Sequence, residues 1–299
     1  MHPVATIGIF DGVHMGHAEI LKRISKLAAG YGGESVVITL WPHPRTVLKP
    51  QQKEVRLLTT LEEKIQLIAS YGIQHLVILP FTKQLAAITF DRFVREYLVD
   101  TMGVKHLVVG FNHHFGKDRE GSYNSLRQMA AQHQLEVEKM GPVVIGGNRV
   151  SSSGIRHMID EGRIRPANEA LGYHYSLKGT VVKGNQLGRV LGYPTANLSL
   201  NDPAKLIPPN GVYAVKVVHQ DNTYLGMMNI GVRPTMTLER HEHTVEVNIF
   251  DFDKDIYGHE LQVRFYDWMR CERKFNSLEE LKEQIETDKR EVLKLFQAI

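Results

Sequence analysis

The chain has 299 residues, 42% hydrophobic and 23% charged, with a formal net charge of +3 and a pI near 8.8. That length is room for two separate cores. The slight basic excess suits anionic small ligands, and without Lys/Arg blocks or a basic stripe interleaved with aromatics it gives no support to nucleic-acid binding. The single cysteine, Cys271, excludes a disulfide framework and fits a reducing compartment. No apolar run approaches the roughly 20 residues of a membrane span, and no signal-peptide pattern precedes the first apolar run. A cytoplasmic protein acting on small molecules, with no membrane or nucleic-acid partner, is the expectation; oligomeric state is not legible.

Residues 4–7 (VATI) read as a short buried strand, and Ile20, Leu21, Ile24, Leu27 and Ala28 recur at helical spacing. Between them lies Gly-Ile-Phe-Asp-Gly-Val-His-Met-Gly-His, residues 8–17. A helix N-terminus facing out of a strand's carboxyl edge attracts phosphate, because its first N–H groups are unpaired and its dipole is positive there. Gly12 and Gly16 allow a ligand close to the backbone. His14 and His17, three apart, fall on one side and are placed to donate to a phosphoryl oxygen. An isolated His-x-x-His is more often an ordinary surface or capping pair, and no third metal ligand follows at a recognisable spacing. Within this decamer the catalytic reading prevails.

Residues 35–40 (SVVITL) predict a second buried strand. The following WPHPRTVLKP, with Pro42, Pro44 and Pro50, reads as irregular. It is either a ligand loop at the sheet's carboxyl edge or a rigid connector. A capping box, Thr60 to Glu63, opens a helix to residue 71. A strand at 75–79, a helix at 90–102 and a strand at 105–109 continue a βαβ pattern, which predicts a parallel sheet. The polar, aromatic stretch 109–121 is long for a connector. Its Asn112 is suited to a heterocycle or a phosphate, and His113 and His114 read as solvent-facing. A helix at 122–132, a strand at 135–139 and a hairpin at 143–150 with Gly146 and Gly147 near its tip follow. Residues 151–162, SSSGIRHMIDEG, start another helix. Its serines are N-cap chemistry, and the same helix start with Ser152 and Arg156 is able to grip a triphosphate.

After a short helix near 166–173 the pattern changes to short alternating strands from 177 to 267, which predict an antiparallel barrel. A second capping box at Ser277 then opens a helix with Leu278, Leu281, Ile285, Val292 and Leu295 as its buried stripe. Within the barrel, residues 183–198 (KGNQLGRVLGYPTANL) hold Gly184 and Gly188, which free a loop to wrap phosphates. Thr195 and Asn197 lie two apart on an extended segment, either as hard oxygen ligands for Mg²⁺ beside nucleotide phosphates or as a plain strand edge.

The decamer resembles the nucleotidyltransferase signature ending His-x-Gly-His, and its Gly-x-Phe-Asp-Gly-Val-His prefix resembles prokaryotic bifunctional riboflavin kinase/FMN adenylyltransferases. Val-Gly-x-Asn-x-x-Phe-Gly (109–116) is similar to that family's flavin-nucleotide loop, and Ser-Ser-Ser-x-Ile-Arg (151–156) to its second nucleotidyltransferase signature. Gly-Arg-x-Leu-Gly-x-Pro-Thr-Ala-Asn (188–197) resembles its flavokinase signature, supported by PNGVYAV, NIGVRPT, TVEVNIFDFDKDIYG and KFNSLEEL further on.

The resemblance implies a Rossmann-like parallel-sheet nucleotidyltransferase domain over 1–170, then an antiparallel β-barrel flavokinase domain with a C-terminal helix over 171–299. It implies phosphorylation of riboflavin to FMN and adenylylation of FMN to FAD, with ATP as substrate and Mg²⁺ at both sites. His14 and His17 would stabilise the adenylyl transition state, with Phe10, Asp11, Gly12, Ser152 and Arg156 around the nucleotide and Asn112 at the flavin. Gly184, Gly188, Thr195 and Asn197 would hold nucleotide and Mg²⁺ in the kinase, with Glu246 as base toward the ribityl hydroxyl. Asn248 stands where many relatives have His, and Trp41 where an acidic residue is usual; neither is given a role. The rival readings are a single active module, or a flavin- or nucleotide-binding regulator.

Overall fold

The structure, a computed structural model, describes residues 2–48, 55–111, 123–184, 187–232 and 243–298. Asn112, His113 and His114 lie outside the described residues. The chain divides into two compact units, Met1–Ser152 and Ser153–Ile299.

The first unit is a five-stranded parallel sheet: β1 Val4–Gly8, β2 Ser35–Trp41, β3 His75–Pro80, β4 His106–Val109 and β5 Glu136–Lys139. The order is β3-β2-β1-β4-β5, every pair parallel. Alternate strand residues feed two cores, one on each face. Val4, Val37 and Val108 meet Leu21 and Ile24 of the helix Met15–Tyr31 together with Ile68. Ala5, Ile7, Ile38 and Leu107 meet Phe90, Leu98 and Leu126 on the other side. The crossovers reverse direction at β1 and β4, so the sheet's carboxyl edge there is a natural ligand crevice. The decamer follows β1 at that edge.

The capping box forms as expected: Glu63 N–H donates to Thr60 Oγ1 (3.2 Å) and Thr60 N–H to Glu63 Oε2 (2.9 Å), opening the helix Leu61–Ala69. Two expectations need correction. The proline-rich stretch is not wholly irregular, because Pro44 begins a short helix, Pro44–Leu48, at the position where a missing N–H leaves no bond unmade. The helix expected at 90–102 is one α-turn, Phe90–Arg92, running into a π-helix, Phe93–Thr101. Its wide turn closes with Met102 N–H donating to Tyr97 O, five residues back (3.1 Å), while Phe93 stacks on Tyr97 at 5.1 Å. A hairpin, β6 Val144–Ile145 and β7 Asn148–Arg149, turns through Gly146 and Gly147 at φ 56° and 79°.

The second unit holds the helices' remainder and a closed antiparallel barrel. Its strands are β8 Ser176–Val182, β9 Thr195–Leu200, β10 Gly211–His219, β11 Asn222–Val232, β12 His243–Ile249 and β13 Glu260–Arg270, in the order β10-β11-β12-β9-β8-β13. The helix Ile164–Leu171 packs on β13. Arg165 pairs with Asp267 at 2.6 Å, and Asn168 donates to Phe265 O (2.9 Å) and accepts from Tyr175 N–H (2.8 Å).

The C-terminal helix, Leu278–Gln297, differs from its expected stripe. Leu278 is 50% exposed, whereas Asp288 is 2% exposed and accepts two bonds from Arg270 Nε and Nη2 (2.9 and 2.7 Å). Its N-terminus is half a capping box: Glu280 N–H donates to Ser277 Oγ, but the Glu280 carboxylate accepts from Asn276 N–H instead of Ser277.

Candidate active sites

In the first unit the turn after β1 is strained. Phe10 (φ 51°), Gly12 (φ 82°) and Val13 (φ 33°) all sit in left-handed backbone, a conformation that only glycine among them adopts cheaply. Asp11 holds the turn. Its carboxylate is 3% exposed and accepts from Leu58 N–H (3.0 Å), Thr59 N–H (3.2 Å) and Thr59 Oγ1 (3.4 Å). Gly12 N–H in turn donates to Thr59 Oγ1 (3.0 Å). Ser152, far along the chain, donates its hydroxyl proton to Asp11 O at 2.8 Å. Of the residues expected around the nucleotide, Phe10 is packed into the core below the turn, and Asp11 and Ser152 tie the turn together.

The turn delivers His14 as the N-cap of Met15–Tyr31. Its Nδ1 accepts from His17 N–H (3.3 Å), so a neutral His14 carries its proton on Nε2. The His14 and His17 rings stack 3.7 Å apart at 13°, and Phe10 meets His17 edge-on at 5.0 Å. A Cβ on Gly16 would press the His14 ring at 3.1 Å. His17 Nδ1 is buried without a hydrogen-bond partner among the described residues. Burial first, then the charges of His14 and Lys64, holds His17 well below the usual imidazole range. The pair is thus neutral at His17 and stacked over the helix N-terminus, where an anion is favoured.

Lys64 went unnoticed in the sequence. It is 1% exposed, on the inner face of Leu61–Ala69 with Ile68, and burial pushes its ammonium down to about 8 against the pull of Asp11. The available signal was a lysine four residues before Ile68, on the apolar side of an amphipathic helix. Arg156, one turn into Ser152–Asp160, belongs to the second unit.

In the second unit, β9 and β12 pair with Asn197 opposite Glu246 and Thr195 opposite Asn248. Directly opposed residues share a face, so these four stand together, with Val245 and Val247 on the other face. Thr195 Oγ1 donates to Glu246 Oε2 at 3.4 Å. Asn248 is buried and donates to Pro194 O at 2.7 Å, holding the residue before Thr195. Gly184 and Gly188 do not simply free a loop. A Cβ on Gly184 would meet the Asn197 amide at 2.1 Å, and one on Gly188 would meet Tyr193 O at 2.4 Å and Thr195 Oγ1 at 3.2 Å. They make room for the Thr-Ala-Asn segment.

Two cavities open beside this cluster, and Thr195 lines both. The larger, about 470 Å³, is bounded by Val247, Ile249 and the polar segment Phe252 to Tyr257, with Arg189 and Lys254 as its cations. The smaller, about 310 Å³, carries Glu246 and Asn248 and is walled by Leu191, Tyr193, Met227, Phe275 and Ile285. Asp253 and Asp255 line the larger one as well, balancing those cations, and the smaller suits a flat apolar ring. Among the described residues no cluster of three His, Cys, Asp or Glu side chains is placed to hold a metal. Thr195 and Asn197 offer hard oxygens on one face, the donor type that Mg²⁺ takes when phosphates complete its shell.

A family model described as FAD synthetase matches residues 2–154, and one described as riboflavin kinase matches residues 171–296. The bifunctional riboflavin kinase/FMN adenylyltransferase of Listeria monocytogenes is 38% identical, covering 99% of this chain and 93% of that protein. The protein of the same name from Bacillus subtilis is 36% identical over 98% of this chain and 92% of its own length. A crystal structure titled as a macrolide-efflux protein from Streptococcus pneumoniae superposes with a TM-score of 0.89 at 33% identity, covering 97% of this chain and 93% of that one. No helix among the described residues is long and apolar enough to cross a membrane. With both family models matched in order and relatives aligned along nearly the whole chain, the chain belongs to the bifunctional riboflavin kinase/FMN adenylyltransferase family.

Proposed function

We propose that the chain makes FMN from riboflavin in its second unit and FAD from FMN in its first, using one ATP at each step. The observation that carries this reading is the separation of two chemically different sites: a stacked histidine pair on a helix N-terminus in one unit, and a hydroxyl facing a carboxylate between two cavities in the other.

In the second unit, the nucleotide occupies the cavity with Arg189 and Lys254, and the flavin ring the apolar cavity beside Glu246. Glu246 takes the proton of the ribityl hydroxyl as that oxygen attacks the γ-phosphorus, and ADP leaves. Thr195 keeps the carboxylate oriented, and Asn248 keeps Thr195 in place through Pro194. Thr195 and Asn197 would hold Mg²⁺ together with ATP, and the ion would supply neutralisation of phosphate charge.

In the first unit, a phosphate oxygen of FMN attacks the α-phosphorus of ATP, the α–β bridging bond breaks and pyrophosphate leaves. His14 Nε2–H and His17 donate to oxygens whose charge grows in the transition state. Arg156, which the division at 170/171 keeps in the adenylyl domain, binds the departing pyrophosphate, and Gly12 leaves the backbone approachable. Asn112 contacts the flavin nucleotide. Asp11 and Ser152 keep the turn in its strained shape, so these donors need no reorganisation. Domains divided at 170/171 put every adenylyl residue in the first and every kinase residue in the second. The protein works free of membrane, in the cytoplasm, on small molecules.

The test is direct. Purified protein given riboflavin, ATP and Mg²⁺ should form FMN first and FAD after it, resolved by chromatography. Absence of FMN would sink the kinase assignment, and FMN without FAD the adenylyl one.

A further inference from the structure

The Lys64 ammonium is the most conspicuous polar group that the reaction as described does not use. It is 1% exposed, and among the described residues it makes no hydrogen bond and no ion pair. What faces it is the Trp41 ring, whose centroid lies 5.0 Å from Nζ, with the charge of Asp11 acting on it. Asp11 is already committed to the backbone of Leu58 and Thr59. A buried cation held by a ring face and a committed carboxylate is costly to keep. Strongly perturbed groups of this kind cluster at functional sites, and an incoming anion would complete the coordination of this one.

Its surroundings say which anion. Trp41 ends β2, the neighbour of β1, so Lys64 and Trp41 lie at the same sheet edge as the histidine turn. His17 is coupled to Lys64, and its Nδ1 is likewise buried without a partner. Trp41 is only half-buried and is able to yield its place over the ammonium. We propose that Lys64 binds a phosphate oxygen of a substrate at the His14–His17 site, exchanging the Trp41 ring face for that anion. The proposal rests on the adenylyl-transfer reading of this site.

The first test uses the full chain with Lys64→Met, which keeps length and apolar stem and removes the charge. FMN adenylylation should fall about ten- to a hundredfold, the loss expected for a charged phosphate contact. Riboflavin phosphorylation should stay within twofold, and the melting temperature should hold or rise. A raised KM for ATP assigns the contact to the nucleotide, and a raised KM for FMN to the flavin phosphate. A folded variant with adenylylation and both KM values within twofold of wild type overturns the proposal while leaving the site reading intact. Failure of the wild-type protein itself to adenylylate FMN would overturn both.

A second measurement keeps Lys64 in place. The chain has two tryptophans, so Trp268→Phe leaves Trp41 as sole reporter. Pyrophosphate and FMN, titrated separately, probe the two phosphates. A saturable change in Trp41 emission with either supports the exchange, and no change with both contradicts it.

Discussion

At the scale of single residues, the proposed adenylyl site has in His17 a donor held neutral chiefly by burial. His14→Ala or His17→Ala should lower FMN adenylylation by roughly 10²–10³-fold and leave riboflavin phosphorylation alone, as an assay of each half-reaction would show. Lys64 carries a distinct pH signature. Its folded pKa, about 8, lies below the ordinary 10.5, so between those values the unfolded chain binds the extra proton and stability rises with pH. The stability lost to this buried charge is therefore fully present below pH 8 and relieved by about pH 10.5. Denaturant melts of wild type and Lys64→Met should show the variant's advantage largest at pH 7 and shrinking toward pH 10; a constant gap would argue against the titration. The histidines were legible because the decamer names them. Lys64 was not, since one lysine in an amphipathic helix reads as polar surface until the tertiary fold turns that face inward.

At the scale of elements, the proposed kinase site is a matter of register. Thr195 and Asn197 face Glu246 and Asn248 only because β9 pairs with β12 in this alignment, and a one-residue slip would move all four to the opposite face. Gly184→Ala should cut FMN formation about tenfold or more while leaving the fold intact, since the atoms it meets belong to the Asn197 side chain rather than to backbone. Circular dichroism with a riboflavin-phosphorylation assay checks both halves of that statement. Asn248→Ala should raise the KM for riboflavin or ATP severalfold by loosening Pro194; unchanged kinetics would leave Asn248 a filler of the wall. The alternating strands and both helix starts were readable from period and capping residues. The π-turn after Arg92 and the half-formed box at Ser277 were not. An extra residue per turn leaves little trace in a hydrophobic pattern, and Glu280 chose the N–H of Asn276 over that of Ser277 by geometry alone.

At the scale of the whole molecule, the change from βαβ to alternating strands marked two units, with the short helix near 166–173 expected to end the first, whereas the helix Ile164–Leu171 falls in the second compact unit. It packs on β13, with Arg165 on Asp267 and Asn168 on Phe265, and a Cβ at Gly162 would press the Trp268 ring at 3.0 Å. A fragment of residues 153–299 should therefore fold and phosphorylate riboflavin, whereas one beginning at Ala167 loses Ile164 and Arg165 and should melt several degrees lower. An equal melting temperature for the two would make that helix dispensable. The central claim is that two sites, in two units, each carry one chemistry. It is tested most directly by chromatographic separation of FMN and FAD made by full-length His17→Ala and Glu246→Gln. The account predicts that His17→Ala turns riboflavin into FMN and stops there, while Glu246→Gln makes little FMN, down about 10²–10⁴-fold, yet converts supplied FMN to FAD at the wild-type rate. Loss of both activities together in either folded variant would contradict it.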